Sequence, residues 1–172
     1  RELVEIRQAD LQFLPAEAAD YLQKSLGIDQ LNTQEIMALD QRTEGWIAGL
    51  QLAGLSIKLD PDPARFIRSF TGSDRFILDY LMEEVLKIQT DEIKEFLLQT
   101  SILEQLSAPL CNAVLNRNDS QLILETLERN NMFLIPLDSE RNWYRYHHLF
   151  ADLLKQRLNL RDKAAIIDLH NK

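Results

Sequence analysis

The stretch that decides the fold is MFLIPLDSERNWYRYHHLF, residues 132–150. A bulky apolar run over 132–138 is followed by a turn-like segment at 139–141, and aromatic and polar side chains then alternate over 142–146. Alternation with a period of two is typical of β-strands, so these residues predict a β-hairpin. Because proline has no N–H to donate, Pro136 places the first strand at the edge of its sheet.

Three short helical patterns precede this hairpin, over 91–103, 107–115 and 119–130, and an amphipathic helix that starts near Leu149 follows it. Each of the three begins next to a hydroxyl or Asx side chain that can cap a helix, as Thr90 can for the first. Three helices and a hairpin are the elements of a winged helix, which we predict for the second half of the chain.

The residues before this module have the apolar spacing of four helices. The first covers about residues 15–26, and the other three begin after the potential capping residues Thr33, Thr43 and Ser73. We expect the segment 60–63 to end the third helix. The chain is therefore predicted to be mostly α, with a four-helix helical domain followed by a winged-helix domain that contains one β-hairpin.

The composition agrees with a helical, globular chain. Of its 172 residues 45% are hydrophobic and 27% charged, which disfavours disordered, collagen-like and membrane-spanning classes. Glycine and proline contribute only 5 residues each, which favours helices over an architecture rich in turns. With one cysteine and no apolar leader at its start, the chain is predicted to be cytoplasmic. Since it starts with arginine, we expect it to be part of a longer protein.

The charge of the chain disfavours nucleic acid and anionic membranes as direct partners. The net charge is −8, which repels a phosphate backbone. The predicted recognition helix at 119–130 has a net charge of −2 from Asp119, Glu125, Glu128 and Arg129. A helix that enters the major groove carries cations and amides toward the DNA. Gln121 and Asn130 are the amides that can read bases here, so DNA binding stays open as an alternative.

Signals for catalysis are missing from the sequence. None of the five glycines is followed by lysine, so there is no phosphate-binding loop, and we expect no enzymatic activity and no catalytic residue. Asp40 and Asp138 each follow an apolar run, as a magnesium-binding aspartate does, but the first run has a helical pattern and Pro136 interrupts the second. His147 and His148 have no further ligand at zinc spacing, so no metal site is predicted. Cys111 has apolar neighbours, which is typical of an inert core thiol.

Three segments carry a family resemblance: TEGWIAGLQLA at 43–53, FILDYLMEEVL at 76–86 and WYRYHHLF at 143–150. They resemble the MalT-like transcription activators, large ATP-binding regulators of the LuxR type that belong to the signal-transducing ATPases. The resemblance covers nearly the whole chain. It implies an arm that lies after the nucleotide-binding core, switches between a closed ADP form and an open ATP form, and relays the nucleotide state.

The resemblance also implies nucleotide-contacting residues. His147 matches the histidine with which such winged helices contact the β-phosphate of ADP, and Gly45 matches the glycine of a Gly-x-Pro motif that contacts adenine. Ile47 stands where that motif has proline, and Trp46 lies between them. The implied cofactor-binding residues are therefore His147, Gly45, Trp46 and Ile47. The chain itself is expected to hold no cofactor, because ATP or ADP binds to another domain of the longer protein.

The implied domain order is a remnant of the nucleotide-binding core at 1–14, the helical domain at 15–89, the winged helix at 90–162 and the start of superhelical sensor repeats at 163–172. A β-prone run at 3–6 fits the last strand of that core. The expected partners are the nucleotide-binding and sensor domains of the same chain, and the whole protein is expected to self-associate when active. Two alternatives remain: a helical protein-interaction module without a nucleotide role, and a winged helix that binds DNA directly.

Overall fold

The computed structural model describes residues 11–161, so the predicted strand at 3–6 and the predicted repeat at 163–172 lie outside the described residues. These residues fall into two compact units, the first ending at Ile77 and the second beginning at Leu78. The predicted domain boundary near residue 89 remains a prediction. The mostly α fold with one small antiparallel sheet is confirmed.

The first unit is helical throughout. Its helices are α1 (Pro15–Asp20), which continues into a π-helical turn (Tyr21–Ser25), α2 (Thr33–Thr43), α3 (Ile47–Leu59), α4 (Pro63–Ser69) and the start of α5 (Arg75–Tyr80). The core consists of buried apolar side chains from each of these helices. They include Ala18, Leu22, Leu39, Leu50, Ala53, Ile57, Ile67 and Ile77.

Three of the predicted helix caps in this unit were wrong, beginning with those at Thr33 and Thr43. α2 is capped by Asn32 rather than Thr33, because the Asn32 Oδ1 accepts from the Glu35 N–H at 3.0 Å and the Glu35 carboxylate accepts from the Asn32 N–H at 2.9 Å. Thr43 ends α2 instead of capping α3, since its hydroxyl donates to the Leu39 carbonyl at 2.9 Å. The N-cap of α3 is Trp46.

The helix α4 was not predicted from the sequence. The segment 60–63 does end α3, but its last two residues also begin a helix: the Asp62 carboxylate accepts from the Arg65 N–H at 2.9 Å, and Pro63 occupies the first helical turn. α5 begins at Arg75, one residue later than a cap at Ser73 would place its start. The Asp74 carboxylate accepts from the Phe76 N–H at 3.2 Å.

The second unit begins within the helical run that α5 opens. A π-helical turn (Leu81–Leu86) precedes α6 (Asp91–Thr100), α7 (Ala108–Leu115) and α8 (Ser120–Arg129). The strands β1 (Leu134–Pro136) and β2 (Tyr144–Tyr146) follow, and then α9 (His148–Arg161). The predicted order of three helices, a hairpin and a helix is confirmed, as is the capping of α6 by Thr90, whose hydroxyl accepts from the Ile93 N–H at 3.3 Å.

The hairpin is antiparallel, with Leu134 opposite Tyr146 and Pro136 opposite Tyr144. On the other side of β2, Tyr144 exchanges two backbone hydrogen bonds with Leu106, of 2.7 and 2.9 Å. β2 therefore lies between two neighbours, whereas β1 is the edge strand, as Pro136 predicted. Tyr144 and Tyr146 are buried, so one face of the hairpin covers the helices.

The core of the second unit is built on α9. Five α9 side chains are at most 5% exposed: Leu149, Phe150, Leu153, Leu154 and Leu158. They repeat at helical spacing and form the apolar face that the sequence predicted. No helix among residues 11–161 combines the length and the apolar content needed to cross a lipid bilayer.

Candidate functional site

Gly45 occupies a turn that only a residue without a side chain fits. It follows Glu44, which is also left-handed, and has a φ of +70°. Its carbonyl accepts from the Phe13 N–H at 2.9 Å. A Cβ at this position would lie 2.6 Å from the Phe13 carbonyl oxygen. The glycine therefore permits a close backbone approach within the first unit, which explains its presence without a ligand.

Trp46 and Ile47 differ in the solvent exposure of their side chains. Trp46 is half-buried, and its ring lies over Gly49, where an added Cβ would be 2.5 Å from Cε3. Ile47, the first residue of α3, is 42% exposed. The first residue of α3 thus exposes an apolar side chain, while the indole packs on its own helix at Gly49.

His147 is buried at the junction of β2 and α9, with 1% of its surface exposed. Its backbone N–H donates to the Phe133 carbonyl at 2.8 Å, and its Nδ1 accepts from the Leu149 N–H at 3.3 Å. The Phe133 ring packs edge-on against the imidazole, with 5.7 Å between ring centroids. In this arrangement the ring is enclosed, and a direct phosphate contact would require Phe133 to move.

The predicted nucleotide-contacting residues lie in both units. Gly45, Trp46 and Ile47 are brought together in one turn of the first unit, and His147 belongs to the second. Next to it, His148 begins α9 and is exposed. The assignment of these residues to a nucleotide remains a prediction from the family resemblance.

The backbone of Phe133 is unusual. Its φ is +54°, in the left-handed region that a bulky side chain rarely adopts. Its ring also contacts Phe150, at a centroid distance of 5.3 Å, and Phe150 in turn contacts Tyr146 at 5.9 Å. A residue held in such a sparsely populated conformation destabilises the folded state by about 1–3 kcal/mol, and such residues cluster at functional sites. Sequence analysis did not single out Phe133, because φ cannot be read from residue type here.

The aromatic cluster is joined to α6 by a buried pair of hydroxyls. Thr100 Oγ1 lies 2.7 Å from the Tyr146 hydroxyl and 2.7 Å from the Phe96 carbonyl. Since the carbonyl can only accept, Thr100 donates to it and Tyr146 donates to Thr100. Burial raises the pKa of Tyr146 well above its usual value. The strand that precedes His147 is thereby anchored to the helical part of the unit.

Arg117 connects α6 to the start of α8, a role that no local sequence pattern predicted. Its guanidinium donates to Asp119 at 2.8 Å and to Glu92 at 2.9 Å, and it lies 5.7 Å from the centre of the Phe96 ring. The same pairing lowers the pKa of Asp119. Asp119 is thus held by Arg117, and the α8 N-terminus is instead capped by Asn112, whose Oδ1 accepts from the Ser120 N–H at 3.1 Å.

The outer surface of α8 has no cationic face. Its exposed side chains are Gln121, Leu122, Glu125 and Arg129. The Gln121 amide donates to Glu125 at 2.8 Å, so it is engaged within the helix. On the side toward the hairpin, Glu128 accepts from the Tyr144 hydroxyl at 3.2 Å and pairs with Arg141 at 3.2 Å. A phosphate backbone would meet carboxylates here.

Asp40 and Asp138 do not form a metal site among the described residues. Asp40 lies in α2, where partial burial raises its pKa, and Asp138 accepts from the Asn142 N–H at 2.9 Å in the hairpin turn. Within residues 11–161 no three His, Cys, Asp or Glu side chains are grouped closely enough to hold a metal ion.

Cys111 is buried, as predicted, and burial raises the pKa of its thiol to about 11. The unfolded thiol loses its proton near its ordinary pKa of 9.0. Between these values the unfolded state binds fewer protons than the folded state, so stability falls as pH rises. We expect the free energy of unfolding to decrease by about 1.4 kcal/mol per pH unit from 9 to 11.

Urea unfolding at a series of pH values measures this slope. In a Cys111→Ala variant the slope should be smaller, leaving the part due to two tyrosines: Tyr144, whose pKa burial and Glu128 raise to about 12, and Tyr146, whose pKa burial also raises. An unchanged slope in the variant would contradict the assignment to the thiol.

Comparison with known proteins identifies the second unit. The family model described as the MalT winged helix domain matches residues 82–166. The chain is 34% identical over 171 residues to the serine/threonine-protein kinase PknK of Mycobacterium tuberculosis, an alignment that covers 99% of this chain and 15% of PknK.

Two further relatives are transcription regulators by name. The HTH-type transcriptional regulator MalT of Vibrio cholerae is 36% identical over 130 residues, covering 74% of this chain and 14% of that protein. MalT of Vibrio campbellii is 33% identical over 174 residues, covering 98% and 19%. The chain thus spans less than a fifth of the length of the curated relatives it matches.

Proposed function

Because the chain is a MalT-like protein and carries the MalT winged helix domain at residues 82–166, we propose that it is the regulatory arm of a transcription regulator. In this proposal the arm has no catalysis of its own and acts in the cytoplasm. It closes over ADP or ATP held by a nucleotide-binding domain of the longer protein and passes the nucleotide state to a sensor region. The longer protein self-associates when active.

The observation that carries this proposal is that the outer surface of α8 has no cationic face. A winged helix that reads DNA places this helix in the major groove. Here Glu125 is exposed, Gln121 donates to it, and Arg117 is used within the protein to hold Asp119. This surface is better suited to contacts with other protein domains than to contacts with the phosphates of DNA.

We expect the chain to show no binding to a fluorescently labelled DNA duplex by anisotropy, even in about 50 mM salt, where phosphate contacts are strongest. The matched variant carries Gln121→Lys and Glu125→Lys, two exposed changes that turn the helix charge from −2 to +1. This variant should acquire weak, salt-sensitive binding. Salt-sensitive binding by the unaltered chain would contradict the proposal and support direct DNA recognition.

The relay needs a contact that differs between the two nucleotide states, because a ligand shifts an equilibrium only by its differential affinity. We propose that His147 supplies it. The burial of its ring against Phe133 means that an approach to the β-phosphate is coupled to movement of Phe133. The left-handed backbone of Phe133 supports this coupling, since a strained residue favours a second arrangement.

We expect His147→Ala in the full-length protein to raise basal transcription without inducer, about tenfold if the lost contact is worth 1.4 kcal/mol. The measurement is a reporter assay, with circular dichroism to check folding. His148→Ala is the matched control, because it removes an exposed neighbouring imidazole. Unchanged basal transcription in a folded His147→Ala protein would remove the sensor assignment.

A second candidate function is a protein-interaction module without a nucleotide role. It is favoured by the outer face of the hairpin, where Leu137 and Trp143 are 42% and 43% exposed. The Leu137 N–H donates to the Trp143 carbonyl at 2.8 Å, so the two side chains are cross-strand neighbours. A glycine-rich loop ending in Lys-Ser or Lys-Thr in the preceding part of the gene would favour the nucleotide relay, and its absence would favour this module.

A further inference from the structure

The first unit contains a cleft between α2 and α4 that the family resemblance does not explain. It has a volume of about 540 Å³ and is lined by residues of α2 and its cap and by residues of α4. Arg42 and Arg68 are among the residues that line it, and the buried Ile67 with Ala38 and Ala64 forms an apolar part. This volume is in the range of small-molecule sites.

Arg42 is held in place by the backbone of the neighbouring helix. Its Nη1 donates to the Phe70 carbonyl and its Nη2 to the Arg68 carbonyl, the latter at 3.4 Å. A guanidinium has five N–H donors, so donors remain after these two bonds. Among the described residues its hydrogen-bond partners are carbonyls and not carboxylates, so Arg42 forms no ion pair there.

Arg68 has no ion-pair partner in the part of the chain that the structure describes, and its side chain is exposed. The contrast with Arg65 on the same helix is clear, because Arg65 pairs with Asp60 at 3.3 Å. The carboxylate that does line the cleft, Glu35, accepts from the Asn32 N–H and belongs to the cap of α2. In an acidic chain, two arginines without an ion-pair partner among residues 11–161 therefore line one cleft, which they share with the Glu35 carboxylate.

We propose that this cleft binds a small phosphate monoester with an apolar body. A phosphate monoester has a charge of about −1.5 to −2 at pH 7 and three strong acceptor oxygens, which match two guanidiniums. The apolar body of the ligand covers Ile67 and the two alanines. This inference does not depend on the proposed relay.

The probe is phenyl phosphate, added to the ¹⁵N-labelled chain and followed by amide chemical shifts. We expect saturable shifts at Gln34, Ile67 and Arg68, and tighter binding of phenyl phosphate than of inorganic phosphate. R68Q should weaken binding tenfold or more, whereas R65Q, the same charge change on the same helix, should leave it within about twofold. R42K keeps the positive charge but removes the paired N–H donors of the guanidinium, so it should also weaken binding.

The proposal is overturned by the absence of saturable shifts in the cleft up to about 20 mM probe. It is also overturned by equal losses in R68Q and R65Q, which would indicate non-specific attraction. A short peptide that contains phosphotyrosine distinguishes the two sources of the ligand. Tighter binding of the peptide than of phenyl phosphate indicates a modified protein, and weaker binding indicates a small metabolite; both support the phosphate site.

Discussion

Replacing Phe150 by alanine is expected to lower the free energy of unfolding of the second unit by about 3–5 kcal/mol, the usual cost of removing a fully buried aromatic ring. Phe150 has no exposed surface and contacts Phe133 and Tyr146 through its ring. Removal of the ring leaves a cavity between α9 and the hairpin. Since Phe133 also packs against His147, the variant should loosen the surroundings of the imidazole as well.

The chain provides its own reporter for this measurement. It has two tryptophans, Trp46 in the first unit and Trp143 in the second. In a Trp46→Phe background, urea unfolding followed by fluorescence reports the second unit alone. Leu160→Ala is the control, because it shortens a 73% exposed side chain on the same helix and should cost less than about 0.5 kcal/mol. A loss below about 1 kcal/mol for Phe150→Ala would show that the hairpin does not depend on this ring.

Replacing Gly45 by alanine is expected to destabilise the first unit by about 2–4 kcal/mol. Two effects add. The φ of +70° is unfavourable for any residue with a Cβ, and that Cβ would lie 2.6 Å from the Phe13 carbonyl oxygen. Because the obstacle is a backbone atom, relief requires the segment that contains Phe13 to move and to lose its hydrogen bond to the Gly45 carbonyl.

Gly27 offers a matched control for this substitution. Its φ is +62°, but a Cβ there would meet nothing within 4 Å. Gly27→Ala therefore measures the backbone cost alone, about 1–2 kcal/mol, and the difference between the two variants isolates the contact with Phe13. Both are followed by Trp46 fluorescence in a Trp143→Phe background. Equal losses of unfolding free energy in the two variants would mean that the segment containing Phe13 moves aside without cost. Gly45 would then not be needed for packing.

The winged helix could be predicted from the sequence because its signals are local and agree with one another. The alternation at 142–146, the apolar face of α9 and the hydroxyl of Thr90 each specify one element, and the structure contains all of them. The family match to residues 82–166 rests on the same region. The bond between Leu106 and β2 escaped prediction, because a single bridging residue has no periodicity.

The errors in the first unit come from residues that are compatible with two local structures. Asp62 and Pro63 were interpreted only as the end of α3, whereas an Asx residue before proline is also a helix start. Thr43 can cap a following helix or bond back to its own, and the structure uses the second option. In both cases the sequence identified a helix boundary and the neighbouring residues decided which side of it was helical.

The candidate site shows a different limit. Residue identity placed His147 beside the hairpin, but did not show the enclosure of the imidazole by Phe133. Gly45 was expected inside the helix after Thr43, whereas it lies in the turn before α3 with a φ of +70°. Phe133 has a left-handed backbone, which residue type does not reveal. Long-range contacts such as those of Arg117, 25 residues from Glu92, are equally invisible to local patterns.

Pro136 at the outer edge of the hairpin bears on how the protein behaves in concentrated solution. An open strand edge is a template on which identical chains can stack into fibrils. Here the inner strand is already flanked on both sides by Leu106 and β1, and the outer strand is three residues long and ends in a residue that cannot donate. Within residues 11–161 this small sheet is therefore a poor template for amyloid-like growth.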